Sequence, residues 1–119
     1  MSLVDIQKRI ARKEEKYFKD PVKYARKIKQ IASSLLDDPD VKVILFGSAA
    51  RGEAIPGKSD IDILIVSTKI PKRASEQAKI RVKILEEIGD LAAPFEIHLA
   101  TPQLYQKWYK KHIDVEIPV

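Results

Sequence analysis

The sequence predicts an α/β (α+β) fold, in which helices pack on a small mixed sheet of three or four strands. Helix-spaced apolar residues fill the first third, and three short apolar runs follow at 41–46, 61–66 and 95–100. Apolar residues at helical spacing separate the last two runs and predict another helix. The predicted order is α-α-β-α-β-α-β-α, and the sequence contains no internal repeat. A length of 119 residues suits one domain, 1–119, with a helical N-terminal extension at 1–37 and a core at 41–101.

Two helices are predicted in the N-terminal third. The first has apolar and aromatic residues near helical spacing: Leu3, Ile6, Ile10, Tyr17 and Phe18. Asp20-Pro21 interrupts this pattern and can start a second helix, with Asp as the N-cap and Pro at the first position. The second helix carries an apolar stripe: Val22, Ala25, Ile28, Ala32 and Leu35. A turn rich in Asp ends it at 37–40.

The hydrophobic period changes after residue 40. Val41 to Phe46 is a short run with β-branched residues that predicts a strand, and Gly47 stops it. A short helical segment is predicted at 48–52 and a loop at 53–59, where Pro56-Gly57 favours a turn. Ile61 to Val66 predicts the second strand.

A third long helix is predicted from Ala74 to Ile88, with Gly89 placed to close it. Phe95 to Ala100 predicts the third strand, and Thr101-Pro102 is typical of a helix start. In the helix that follows, four residues are predicted to face inward: Leu104, Tyr105, Trp108 and Tyr109. The three aromatic residues among them are predicted to be core rather than a base-stacking platform. The segment 115–119 is either an extra strand or an ordered end.

Composition excludes several classes of protein. Cys is absent and only two His are present, so a disulfide framework or a zinc centre is not expected. The chain has no apolar run long enough to span a bilayer, and its charged N-terminus does not resemble a secretory signal. We therefore expect a cytoplasmic protein that does not enter membranes. The lack of Asn among many Lys and Glu is a pattern found in thermophiles.

The positive charge lies in the first third of the chain. Residues 1–36 contain ten Lys/Arg and four Asp/Glu, whereas the other 83 residues contain twelve and thirteen. A solvated helical face explains such a run most simply. Contact of residues 1–36 with nucleic acid or with an acidic partner is the sharper hypothesis, and the helices could also form a homodimer.

Polar residues that could bind a ligand or take part in catalysis lie at the predicted strand ends. Gly47-Ser48 follows the first strand and opens a helix, where the backbone can approach a phosphate closely. Arg51 adds a cation about one turn later. A Gly-Ser pair after a strand is also a common turn, so this motif alone is weak.

Three carboxylates accompany the other two strands. Asp60 and Asp62 are two residues apart and so face the same side of a strand, where a divalent cation would relieve their repulsion. Asp-x-Asp alone often marks only a strand that enters from solvent. Glu96 lies between two apolar residues and shares a strand face with His98. A salt bridge could satisfy Glu96, and His98 is predicted to pack or hydrogen-bond rather than to catalyse.

Together these residues resemble the nucleotidyltransferase superfamily that includes DNA polymerase β, and most closely its minimal (MNT) members. The resemblance covers about half of the chain, from GSAARGEAIPGKSDIDILIV to PFEIHLATP, and marks 41–101 as the catalytic core. The order glycine-serine, paired aspartates and third acid is much more specific than any one motif. Two features differ from the family pattern: the spacer before Asp60 is one residue longer, and the third acid is Glu96 rather than Asp.

The resemblance implies a catalytic site in which Asp60, Asp62 and Glu96 hold two Mg²⁺ ions. Gly47 and Ser48 would bind the β- and γ-phosphates of ATP or another nucleoside triphosphate, with Arg51 and Lys58 as candidates to neutralise charge. A hydroxyl of a protein or nucleic-acid acceptor would attack the α-phosphorus, and AMP would be transferred. MNT proteins are often paired with HEPN ribonuclease toxins, so the resemblance implies an antitoxin with a HEPN-type partner.

Two other readings remain open from the residues. The fold could serve as a non-catalytic module that binds a partner or a nucleotide, or the basic helices could bind RNA. The first predicts that loss of Asp60 and Asp62 leaves partner binding intact, and the second predicts RNA affinity that falls with salt.

Overall fold

A computed structural model describes all 119 residues and shows a four-stranded mixed sheet in the order β3-β2-β1-β4. The strands are β1 (Lys42–Phe46), β2 (Ile61–Val66), β3 (Phe95–Ala100) and β4 (Ile117–Pro118). β1 is antiparallel to both β2 and β4, and β3 is parallel to β2. The predicted fold class is therefore confirmed, and the open alternative for 115–119 resolves as a short strand.

Five helices accompany the sheet. Four are α1 (Leu3–Lys19), α2 (Pro21–Leu35), α3 (Gly47–Ala50) and α4 (Ala74–Ile88). The chain is helical again from an α-helical turn at Pro102–Leu104, through a π-helical segment at Tyr105–Tyr109, to a last turn at Lys110–His112. We name this continuous helix α5.

Local signals account for the helix ends. Ser2 and Asp5 form a capping box, in which each side chain accepts a hydrogen bond from the other residue's N–H. The Asp20 carboxylate accepts from the Lys23 N–H at 3.2 Å, as expected of the N-cap of α2. The Thr101 hydroxyl does the same for Leu104 at the start of α5. Gly89 closes α4 in the left-handed conformation, with φ of 91°.

One face of the sheet forms the main core against α2 and α4. The strand residues that face it are Val43, Leu45, Ile61, Ile63, Ile65, Phe95, Ile97 and Leu99. Ala25, Ile28 and Ala32 of α2 are fully buried there, as the predicted stripe requires. Leu35 is only half-buried, and the next residue, Leu36, takes the buried position at the end of the helix.

The opposite face of the sheet is apolar only in part. Its apolar side chains are Ile44, Leu64, Val66 and Ala100. Tyr105 and Tyr109 of α5 cover them, together with Ile113, which directly follows the helix. The prediction that Trp108 and Leu104 lie in the core is wrong, because both are exposed. The remainder of this face carries polar side chains and is described below.

Both outer strands of the sheet are covered or short. β4 consists of two residues, and one of them is Pro118. On β3, the Arg81 Nε of α4 donates to the Ile97 carbonyl at 2.8 Å. The short β4 with its proline, and the hydrogen bond from Arg81 to β3, each reduce the number of free backbone groups at that edge of the sheet.

The first ten residues of the chain are exposed throughout. Leu3, Ile6 and Ile10 have the predicted helical spacing but do not pack in the core, which α1 reaches only near its end through Tyr17. No helix combines the length and the apolar character needed to cross a bilayer.

Candidate active site

The polar part of the sheet lies where β1 ends. Phe46 pairs with Asp62 across the β1–β2 ladder, and Gly47 follows with φ of 72°, a conformation that favours glycine. A Cβ atom at Gly47 would overlap Oδ2 of Asp62. The chain therefore needs glycine here for two reasons, the backbone angle and the close approach of the carboxylate.

Asp62 and Glu96 are direct neighbours on the parallel strands β2 and β3. Partial burial raises the pKa of Glu96 above its usual range, and the hydrogen bond and negative charge of Asp62 raise it further. The Glu96 side chain is nonetheless 56% exposed. The two carboxyl groups thus form an acidic pair that is open to solvent.

His98 lies two residues after Glu96 on β3, on the same face of the strand, and completes this group. Its Nε2 lies 3.4 Å from Oδ1 of Asp62 and 3.6 Å from Oε1 of Glu96. The predicted hydrogen-bonding position of His98 is therefore observed, and the ring bridges the two acids. We refer to Asp62, Glu96 and His98 as the acid cluster.

Asp60 lies beside the acid cluster rather than within it. It precedes β2 and is exposed. Its negative charge nevertheless contributes to the raised pKa values of both Glu96 and Glu14. Asp60 therefore lies near enough to act electrostatically on both the acid cluster and Glu14 of α1.

Ser48 and Arg51 flank the site on α3 and the turn after it. Ser48 is half-buried in the first turn of the helix. The Arg51 side chain contacts Oε2 of Glu53 at 3.1 Å and Oδ1 of Asp114 at 3.4 Å. The predicted phosphate ligand Arg51 is thus held in two ion pairs, so it would have to exchange partners to reach a phosphate.

Lys58 lies in the loop between α3 and β2 and is exposed. It forms no ion pair within 4.0 Å and so remains available to an anionic ligand. The neighbouring Gly57 packs against Ala11 of α1, so the extra residue of this loop rests on the N-terminal helix.

Glu14 of α1 was not anticipated as a neighbour of the site. Burial raises the pKa of Glu14, the Gly57 N–H opposes this shift, and the charges of Asp60 and Asp90 add to it. One of its carboxylate oxygens is buried without a hydrogen-bond partner. Because this contact joins residues far apart in sequence, no local pattern could have indicated it.

Tyr109 and Phe46 form the apolar wall of the site. The Tyr109 ring lies 5.9 Å from the His98 ring and 6.5 Å from the Phe46 ring, and Phe46 lies 5.1 Å from His98. Burial raises the pKa of Tyr109, Arg81 lowers it, and the charge of Glu96 raises it. The inward position predicted for Tyr109 is correct, but its place beside the acids is new.

A divalent cation fits the donor chemistry of the acid cluster. One ligand atom from each of its three side chains lies within 4.8 Å of the others. Carboxylate oxygens are the ligands that Mg²⁺ prefers, and a cation would relieve the repulsion that raises the pKa of Glu96. Asp62 and Glu96 are therefore placed to hold Mg²⁺, with Asp60 next to them.

Comparisons with known proteins agree with this geometry. The model of the nucleotidyltransferase domain family matches residues 25–117. A Methanocaldococcus jannaschii protein named "putative protein adenylyltransferase" is 32% identical over 89 residues, which cover 75% of this chain and 83% of that protein. A second protein of the same name and organism is 40% identical over 50 residues, 42% of this chain and 33% of its own length.

One solved structure supports the same relationship. A crystal structure titled "putative nucleotidyltransferase" superposes with a TM-score of 0.53 at 27% sequence identity. The superposition covers 79% of this chain and 95% of the other.

Proposed function

The chain belongs to the nucleotidyltransferase domain family, and from that membership we propose that it transfers AMP from ATP to a hydroxyl group of a partner protein. The observation that carries the proposal is the convergence of Asp62 and Glu96 beside the backbone of Gly47. The protein acceptor is supported by the name of the relatives from M. jannaschii.

Gly47, Ser48 and Lys58 are the groups that would bind the triphosphate. At Gly47 no side chain separates the backbone from a ligand, and the exposed Lys58 provides an unpaired cation. Asp62 and Glu96, with Asp60, would hold Mg²⁺. When bound, Mg²⁺ supplies positive charge that stabilises the phosphates and lowers the pKa of an attacking hydroxyl.

The transfer step forms a bond between the acceptor oxygen and the α-phosphorus. The bond from that phosphorus to the β-phosphate oxygen breaks, and pyrophosphate leaves with the electron pair. Glu96 is placed to receive the hydroxyl proton, because its carboxylate is exposed at the site. His98, in contact with both acids, would hold the two carboxylates in position.

The open site also favours a macromolecular acceptor. A half-exposed Glu96 and an exposed Asp60 leave room for the surface of another protein to bring its hydroxyl to the α-phosphate. On the family resemblance, we propose a HEPN-type toxin as that partner, with AMP transfer as the means of neutralisation.

The test uses ATP labelled on either the α- or the γ-phosphate, with Mg²⁺ and the product of the neighbouring gene. We expect the acceptor to gain only the α-label, and Asp62→Asn to reduce labelling at least about a hundredfold because a metal ligand is lost. Asp40→Asn is the matched control, since Asp40 is exposed and lies at the opposite end of the sheet.

Transfer of the γ-label would indicate a kinase and contradict the proposal. The double variant Asp60→Asn/Asp62→Asn could instead neutralise the partner as effectively as the unmodified chain. That result would support a non-catalytic binding module.

A further inference from the structure

The only tryptophan of the chain lies on the surface. Trp108 is 53% exposed, although the sequence predicts it to be core. Tryptophan is highly buried on average in folded proteins, because its large ring gains much from leaving water. The exposed indole therefore leaves a flat apolar surface that a ligand could cover.

His112 holds the indole ring in place. The two rings are stacked, with centroids 3.9 Å apart and an interplanar angle of 28°. Nδ1 of His112 lies 2.7 Å from the Trp108 carbonyl oxygen, so an N–H at this atom donates to the helix backbone and fixes the imidazole. One face of the indole is thus covered by a ring of its own helix, and the exposed area belongs to the rest of the side chain.

Contacts of neighbouring residues attach the helix of Trp108 to the active site. The next residue, Tyr109, packs against His98 of the acid cluster. Two residues beyond the end of the same helix, Asp114 contacts Arg51, which directly follows α3. The stacked pair therefore lies on a helix that is attached to the site through Tyr109 and, just beyond its end, through Asp114.

The π-helical segment gives this helix its unusual arrangement. It spans Tyr105–Tyr109 and so includes both Trp108 and Tyr109. Segments of this kind occur often at functional sites, because an extra residue in a turn changes the direction of the side chains around it. Here Tyr109 contacts the acid cluster while Trp108 remains open to solvent.

We propose that Trp108, supported by His112, stacks on the base of the nucleoside triphosphate whose phosphates lie at Gly47 and the acid cluster. This inference rests on the proposed function. An indole with one covered and one open face is suited to a flat aromatic ligand, and every nucleobase offers such a face. The base and the triphosphate are then held by separate parts of the site, α5 for the base and the β1–β2 end for the phosphates.

The experiment compares ATP with inorganic tripolyphosphate, which has the phosphates but lacks the base. Both are titrated with Mg²⁺ by calorimetry and by the fluorescence of Trp108, whose signal is unambiguous because the chain has no other tryptophan. We expect both ligands to bind and only ATP to quench the fluorescence. Trp108→Ala should weaken ATP binding about tenfold and leave tripolyphosphate binding unchanged.

Two further variants make the test specific. Trp108→Phe keeps an aromatic face and should retain most of the ATP affinity. Leu104→Ala removes another exposed apolar side chain one turn earlier on the same helix, and it should change neither affinity.

Several results would overturn the proposal. Equal weakening of ATP and tripolyphosphate by Trp108→Ala, or no weakening of either, would show that the indole does not bind the base. A fluorescence change that depends on protein concentration without nucleotide would assign the indole to contact between copies. Failure of the unmodified chain to bind either ligand would contradict the proposed function itself, and the base site with it.

Discussion

At the scale of single residues, Gly47 combines two demands that can be separated by mutation. Gly47→Ala would meet both an unfavourable φ and the Asp62 carboxylate. We expect AMP transfer to fall about a hundredfold, because displacement of a catalytic carboxylate by an ångström can cost that much. The measurement is the initial rate of α-label transfer, together with the midpoint of thermal unfolding.

Gly52→Ala is the matched control for that variant. Gly52 has nearly the same φ, 74°, but no atom lies within 4 Å of a Cβ placed there. It should lose stability through the backbone angle and keep its activity. Equal losses of activity in the two variants would show that the backbone angle, rather than contact with Asp62, explains the need for glycine.

Tyr17 joins α1 to the turn after α4 through one hydrogen bond. Its side chain is 2% exposed, and its hydroxyl donates to Oδ2 of Asp90 at 2.6 Å. Tyr17→Phe should lower the free energy of unfolding by about 1–2 kcal/mol, the range for a hydrogen bond to a charged acceptor that is left partly solvated. Chemical denaturation measures this change. Lys13→Gln, one turn earlier in α1 and exposed, should have little effect. A Tyr17→Phe variant as stable as the parent would contradict the prediction.

At the scale of elements, the contact between α1 and the 53–59 loop contains an unfavourable carboxylate. Burial and neighbouring acids raise the pKa of Glu14 in the folded chain, so ionisation of this group opposes folding. Glu14→Gln should therefore stabilise the protein at neutral pH, by up to about 1 kcal/mol, because a neutral amide avoids the desolvation of a charge and the repulsion from Asp60 and Asp90.

The sign of this effect gives its pH dependence. Below about pH 4, the usual pKa of Glu, both folded and unfolded chains carry a neutral Glu14 and the advantage of Gln disappears. The advantage grows as pH rises toward the folded pKa and is complete above it. Thermal unfolding of both proteins across this range measures the difference. A constant difference at all pH values would assign the effect to packing.

Element boundaries could be predicted where a local signal fixes them. β2, β3 and α4 begin and end at the predicted residues. Gly89 ends α4, and Thr101 starts the helix that follows β3. The convergence of Asp62 and Glu96 could be expected only from the family order, since it depends on the register of two strands separated by a helix. The π-helical segment and the exposure of Trp108 could not be predicted from the sequence, because hydrophobic spacing alone does not distinguish a π-turn from an α-turn.

At the scale of the whole molecule, charge is concentrated on α1 and α2. Their Lys and Arg side chains are exposed with one exception, Lys29, which donates to the Val119 carbonyl at 2.7 Å. We expect single-stranded RNA to bind this region weakly and non-specifically, with an affinity that falls as salt rises. Lys8→Gln/Arg12→Gln should reduce the slope of log affinity against log salt by about 1.4.

Binding of a labelled RNA at several salt concentrations measures this slope. Lys69→Gln/Lys72→Gln removes the same charge from the turn before α4 and should leave the slope unchanged. RNA affinity that does not respond to salt, or equal effects of the two double variants, would remove the hypothesis that the N-terminal helices bind nucleic acid.

The covered edges of the sheet bear on how the protein behaves when it is concentrated or warmed. Pro118 on β4 has no N–H to offer, and Arg81 occupies an outward carbonyl of β3. Neither edge strand readily pairs with a strand from a neighbouring molecule. Such pairing is the usual route to fibrous aggregates. Any association between copies should therefore proceed through helices, and infrared spectra of concentrated samples should lack the band of intermolecular β-structure.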